Sequence, residues 1–343
     1  MSTGETDDLV ASTASGTEEA PFEVSPDQEA ALRAIAKLHN IPLESFARVL
    51  RFESAGEFLA VLHSYPLKEQ RWAFRGHADI DWNLEPSIER LQRLYSNSFR
   101  IDAETYIRKA FRRRAHHFLQ SVPGELEELE WMALMRHHGA PTRLLDWTRS
   151  PYVAAFFALA DAKEDGVSSI WAIDIDAIKA EAIQLLSENC VIENPKGAPF
   201  SFSDRTVFDR VFLQKTKPSI VAPVQPLRMN ERATSQQSLF LCPNNSIHGF
   251  EFGLKQVLKS EKDRIAASGN RNPDGEIFEP ERLFKLNIAP QARNDLLREL
   301  HRMNINYATL FPGLDGFSRS LGTNVTVSGF AYDLFGDDLD SIV

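Results

Sequence analysis

Residues 130–160, EWMALMRHHGAPTRLLDWTRSPYVAAFFALA, constrain the fold more than any other stretch of the chain. Two apolar runs enclose a double histidine, His137-His138, a Gly-Ala-Pro break and an Arg-Leu-Leu-Asp-Trp run. Polar groups held between apolar runs cost free energy unless each finds a partner. The stretch is therefore either a structural polar network or the wall of a site. Gly139 and Pro141 end one helix, because glycine supplies a C-cap and proline cannot continue the ladder. Thr148 or Ser150 caps the next, with Pro151 in its first turn.

The surrounding chain sets the class. Its 343 residues, 43% hydrophobic and 25% charged, suit a soluble globular protein of one large domain or two smaller ones. A net charge of -10 argues against nucleic-acid binding over the whole surface but leaves room for a local basic groove. Only Cys190 and Cys242 are present, too few for a disulfide framework or a cysteine-rich zinc site, as suits a reducing cytoplasm. No run approaches the roughly 18 apolar residues of a membrane span. The N-terminus lacks the basic and apolar regions of a secretory signal. The expectation is a cytoplasmic protein with no membrane partner.

Residues 1–25 read as a disordered acidic tail, because so few apolar side chains cannot offset ordering entropy. Residues 26–65 read as a helical N-terminal extension, with Phe46, Val49 and Leu50 on one short helix and Phe58, Leu59 and Leu62 on another. Residues 66–335 read as the main domain, and 336–343 as a frayed acidic tail. Within the domain, strands are expected at 71–76, 168–175, 220–223, 238–241, 283–288 and 308–312. Helices are expected at 102–120, 125–136 and 289–303. Short strands with helices between them predict an α+β fold with a short-stranded mixed sheet.

Several chemistries are absent from the sequence. It has no glycine-rich phosphate loop, no G-x-G-x-x-G run and no G-x-S-x-G elbow. Adjacent helical residues point about 100° apart, so neither His116-His117 nor His137-His138 offers two ligands to one ion, and no metal site is expected. Arg75, ahead of Gly76 at the end of an apolar strand, suits paired hydrogen bonds to a phosphate or, equally, a buried ion pair. Thr148 and Ser150 suit a helix cap or the ribose or phosphate of a ligand at the same terminus. Arg143, Asp146 and Trp147 form a buried polar frame whose charges must be paired. Residues 230–240 place Glu231, Gln236 and Gln237 ahead of a strand, as a plain turn or as orienting and acid/base groups.

Phe74-Arg75-Gly76, Leu84-Glu85-Pro86-Ser87, residues 138–148 (HGAPTRLLDWT) and Ser150-Pro151 together resemble the FRG domain, named for its Phe/Tyr-Arg-Gly motif. The likeness continues through Asn230, Arg232, Gln236 and Phe240 and through residues 310–316 (LFPGLDG), with Ser238 where the family's glycine is expected. A second resemblance is to ADP-ribosyltransferases of the Arg-Ser-Glu type. Arg75, the Thr148-Arg149-Ser150 segment and the Ser235-Gln236-Gln237-Ser238 segment look like their three elements in order.

That likeness implies an ADP-ribosyltransferase-like core that takes NAD as substrate, as in a toxin or antiphage effector with a macromolecular target. Arg75 would hold the diphosphate or the nicotinamide ribose, Thr148 and Ser150 would frame the nicotinamide pocket, and Gly76 and His138 would also bind the cofactor. The third element would stabilise positive charge as nicotinamide leaves. Gln236 and Gln237 stand where that family has a glutamate, and Glu231 is the carboxylate available upstream. Two classes therefore follow, an NAD-dependent transferase and a non-catalytic module that binds a nucleotide or a partner.

Overall fold

The computed structural model describes residues 26–64, 66–69, 71–94, 103–193, 199–214, 216–245, 248–268 and 281–326. Both expected tails, 1–25 and 336–343, lie outside these residues. The chain divides into two compact units, Met1–Asn40 and Ile41–Val343. The described part of the first is helix α1 (Pro26–Asn40), which begins at its proline, where the missing N–H costs nothing.

In the second unit a 3-10 turn, Leu43–Phe46, leads to β1 (Arg48–Phe52), α2 (Ala55–Leu62) and β2 (Trp72–His77). Next come α3 (Ser87–Leu94), α4 (Ala103–Ala115), α5 (Glu128–His137), β3 (Leu145–Thr148), α6 (Pro151–Leu159), β4 (Ser168–Asp174) and α7 (Ile175–Glu188). The short helix α8 (Arg205–Phe208) runs into a π-helical turn and then β5 (Val221–Val224), α9 (Glu231–Ser235), β6 (Ser238–Pro243) and α10 (Phe250–Ser268). The unit closes with β7 (Leu283–Ile288), α11 (Arg293–Arg302), α12 (Tyr307–Leu310) and α13 (Leu314–Thr326).

Seven strands form one mixed sheet in the order β1-β7-β4-β2-β3-β6-β5. The β1–β7 pair is parallel and the others are antiparallel. Alternation along the central strands divides two cores between the sheet's faces. Phe74, Ile170, Ala172 and Phe284 pack with α6 and α11 on one face; Ala73, Trp171, Ile173 and Leu283 pack with α7 and α10 on the other. Sandwiched this way, β4 and β7 are buried along their whole length.

Two local expectations are corrected. Val49 and Leu50 are not helical; they lie in β1, whose pairing with β7 overrides the helical spacing of its apolar residues. Residues 308–312 do not form a strand either. Asn306 and Thr309 make a capping box there, each side chain bonded to the other's backbone N–H, and start α12.

Gly76 is not a turn residue. It lies inside β2, paired with Ile170, beneath α6. A Cβ at this position would stand 2.0 Å from the Ala154 carbonyl oxygen and 2.6 Å from the Ala158 nitrogen, both backbone atoms. The helix approaches the strand this closely only over glycine. Gly76→Ala is expected to destabilise the protein by about 2–3 kcal/mol, read as a lower urea midpoint with an unchanged m-value. A variant as stable as the parent would contradict this packing.

Candidate functional site

Strand β2 pairs with β4 over all six of its residues, but with β3 only at Phe74 and Thr148. Where that ladder stops, the facing backbone groups need other partners. Arg75 Nη1 donates to the Asp146 carbonyl at 2.6 Å, so a side chain stands in for a ladder bond. On the far side of β3, Thr148 Oγ1 donates to the Gln236 carbonyl at 2.6 Å and accepts from the Ser150 N–H at 3.0 Å. Because β2, β3 and β6 are neighbours in the sheet, residues 75, 148 and 236 meet despite their separation in the chain.

They line a chamber of about 260 Å³, together with Gly76, Asp146 and Trp147. A second chamber of about 480 Å³ adjoins it and shares Arg136, Arg232, Gln236 and Ser238 as walls. The Gln236 amide is held at the junction by donating to the Leu310 carbonyl at 2.9 Å.

Three guanidinium groups and one carboxylate line the smaller chamber. Arg136 takes the Asp146 carboxylate through Nε at 2.7 Å and through Nη2, and also donates to Ser87 Oγ at 3.3 Å. Arg75 therefore does not make the ion pair with Asp146 that its position allowed. Burial lowers the Arg75 pKa to about 10, with Arg136 and Arg90 adding to the effect and Asp146 opposing it. The Arg232 side chain has no hydrogen-bond or ion-pair partner among the described residues; its guanidinium stacks 4.3 Å from the Phe311 ring centroid. Burial lowers its pKa as well. Of the three guanidinium groups, only Arg136 has a carboxylate partner among the described residues. Such a concave excess of positive charge with open N–H donors is suited to an anion.

Phe311 is itself fixed. A Cβ on Gly316 would fall 1.8 Å from the Phe311 carbonyl oxygen, so α13 reaches this residue only because position 316 is glycine.

His77 follows Arg75 on the same strand face and is 2% exposed. Its Nε2 accepts from Arg75 Nε at 3.3 Å, and its Nδ1 lies 3.1 Å from the Trp82 carbonyl. The two bonds fit one neutral tautomer, protonated at Nδ1. Burial, and then the charge of Arg75, depress the His77 pKa to about 3.

The other residues singled out from the sequence lie elsewhere. Ser150 caps α6, its Oγ accepting from the Val153 N–H at 3.3 Å, and lines neither chamber. His138 is exposed and borders a separate apolar groove along α4; His137 faces the larger chamber instead. Glu231 is exposed in the first turn of α9, outside both chambers. Gln237 is exposed with φ 49°, and its carbonyl accepts from the Arg149 N–H at 3.1 Å. Arg143 and Asp146 are both paired, but not with each other. Arg143 grips the buried Glu104 and donates to the Phe212 carbonyl at 2.6 Å. Burial alone would raise the Glu104 carboxyl, yet Arg143 holds it below the usual range. Arg143 sits at a bend ahead of β3, whereas Asp146 lies within the strand.

Arg136, which lines both chambers, and His77, which stands behind Arg75, were not singled out from the sequence, and Arg232 entered only through the family likeness. Of the first two, His77 had a usable signal, its two-residue spacing from Arg75 on a strand.

Residues 70–166 match the FRG domain family model, so the chain carries an FRG domain. The match runs from the start of β2 past α6 and takes in Arg75, Arg136, Asp146 and Thr148, but ends before Arg232 and Gln236. No curated protein and no solved structure matches the chain. Among the described residues, no helix is long and apolar enough to cross a membrane, and no cluster of three histidine, cysteine or acidic side chains is placed to hold a metal.

The depressed His77 pKa has a defined consequence for stability. Above about 6.5 the imidazole is neutral in both folded and unfolded chains, and its contribution is fully present. As pH falls from there toward about 3, the unfolded chain takes up a proton that the folded chain refuses, and stability declines. Arg75, Lys285 and Arg90 all act on the ring in the same direction. The wild type is therefore expected to lose up to about 1.4 kcal/mol per pH unit relative to His77→Gln across this window, measured by chemical denaturation. Parallel pH profiles for the two proteins would contradict it.

Proposed function

We propose that this FRG-domain chain is an ADP-ribosyltransferase-like protein that holds NAD, or a closely related nucleotide, by its diphosphate. The observation that carries the reading is the convergence of Arg75, Thr148 and Gln236, from three neighbouring strands or their approaches, on one chamber. Arg75 Nη2 and the Arg232 guanidinium make no hydrogen bond among the described residues, and both suit diphosphate oxygens. The Gln236 side-chain Oε1 suits a ribose hydroxyl, since its Nε2 is the atom held on the Leu310 carbonyl. Thr148 ties β3 to the segment before β6 and keeps the two walls in register. In the transfer itself the bond between nicotinamide and ribose breaks, and a nucleophile on a macromolecular target takes the freed ribose carbon.

A second reading, binding without turnover, is favoured by the carboxylates. Gln236 is neutral, and Glu231 lies outside both chambers. Asp146, the carboxylate lining the smaller chamber, is committed to Arg136. Charge developing on the ribose would have little stabilisation from such an environment.

One pair of assays separates the readings. Calorimetric titration with NAD is expected to show binding, weakened about tenfold or more by Arg75→Ala, since a charge-assisted hydrogen bond is worth about 1.5–3 kcal/mol. Nicotinamide release in the presence of a cell lysate, lost in Arg75→Ala, supports the transferase. Binding with no release supports the module, and absence of binding removes both.

A further inference from the structure

We infer that His77 is the positioning residue of this cleft: it orients Arg75 so that the third guanidinium nitrogen is left for an anion. The inference rests on the anion-binding reading above. A guanidinium offers five N–H donors in a rigid plane, so fixing two nitrogens fixes the direction of the third. In Arg75 the two fixed nitrogens are Nε, on His77 Nε2 at 3.3 Å, and Nη1, on the Asp146 carbonyl at 2.6 Å. Both acceptors are uncharged. A carboxylate in place of the imidazole would hold the group more firmly but would cancel its charge and reduce its pull on a ligand. Arg136 illustrates the difference, since its guanidinium is taken up by Asp146.

His77 is built for this task. It continues the β2–β4 ladder opposite Ser169, so its backbone cannot drift. Its Nδ1 side is anchored on the Trp82 carbonyl at 3.1 Å, which sets the tautomer and leaves Nε2 as the acceptor. The Trp82 ring stands 6.0 Å from the imidazole and is itself 55% exposed, so His77 is covered by a residue at the protein surface. With α6 packed on Gly76 between them, Arg75 and His77 share the opposite strand face and reach each other without crossing the sheet. The depressed pKa agrees with this geometry: an imidazolium would have no lone pair to offer Arg75.

A histidine that merely filled the core would affect stability alone. The test compares wild type, His77→Gln, His77→Ala and His77→Glu by calorimetric titration with NAD and with inorganic pyrophosphate. Circular dichroism confirms that each variant is folded. Gln keeps a neutral acceptor and is expected to bind both probes within about threefold of wild type. Ala loses the anchor and Glu neutralises the charge; each is expected to bind about tenfold or more weakly. Nitrogen-15 NMR supplies a readout that needs no ligand: the His77 ring is expected in the Nδ1-protonated form, with a slowly exchanging Arg75 Nε–H that becomes fast in His77→Ala. Wild-type affinity in both Ala and Glu variants would overturn the inference, and so would an Nε2-protonated ring. If wild type binds neither probe, the anion-binding reading fails, and the ring tautomer with the Arg75 exchange rate decides the positioning role by itself. Should the Ala variant not fold, the contrast between Gln and Glu carries the same decision.

Discussion

The cleft depends on a break in one ladder. Strands β2 and β3 share a single residue pair, and beyond it the sheet is joined through the Arg75 side chain to the Asp146 carbonyl. An interruption in the middle of a sheet is costly, because peptide groups buried there must still be satisfied. Here a cation satisfies one of them. The same side chain that mends the backbone therefore carries a positive charge to the edge of an open chamber. The pairing of β3 with β6, and the hydrogen bond from Thr148 to the Gln236 carbonyl, hold the other side of the opening.

Around that break the electrostatics follow from which groups are neutralised. Glu104 is buried, and Arg143 pairs with it; the two form an architectural link between α4 and the segment entering β3. Arg136 is half-buried and paired with Asp146. Arg75 and Arg232 are held by neutral groups instead, an imidazole and a carbonyl for one and an aromatic face for the other. A guanidinium stacked on a ring keeps its planar edge and its charge available. The region from α12 to α13 contributes to the cleft in the same way, through Phe311 beneath Arg232 and the Leu310 carbonyl on Gln236. The two stretches likened to the FRG family outside the matched region, 230–240 and 310–316, thus meet at the cleft.

Much of the framework was legible in the sequence because it is local. The Gly139 break, the Ser150 cap with Pro151 behind it, and the strands at 168–174 and 283–288 all follow from short-range pattern and backbone chemistry. What escaped was set by tertiary pairing. Val49 and Leu50 have helical spacing and become a strand only because β7 offers an edge. The partners of Arg143 and Asp146 come from Glu104 and Arg136, and nothing in the 143–146 run announces either. Of the candidate site residues, Arg75, Thr148 and Gln236 are brought together, because neighbouring strands carry or precede them. Ser150, His138, Glu231 and Gln237 are not, because capping, helix rotation and a left-handed turn direct them elsewhere.

The central claim is that the opening beside Arg75 receives the diphosphate of a nucleotide. A crystal structure of the full chain grown with NAD tests it most directly. The account predicts a diphosphate within hydrogen-bonding distance of Arg75 Nη2 and the Arg232 guanidinium, with the His77–Arg75–Asp146 chain undisturbed. A nucleotide bound elsewhere, or an Arg75 side chain that swings out of the break while the chamber stays empty, would contradict it.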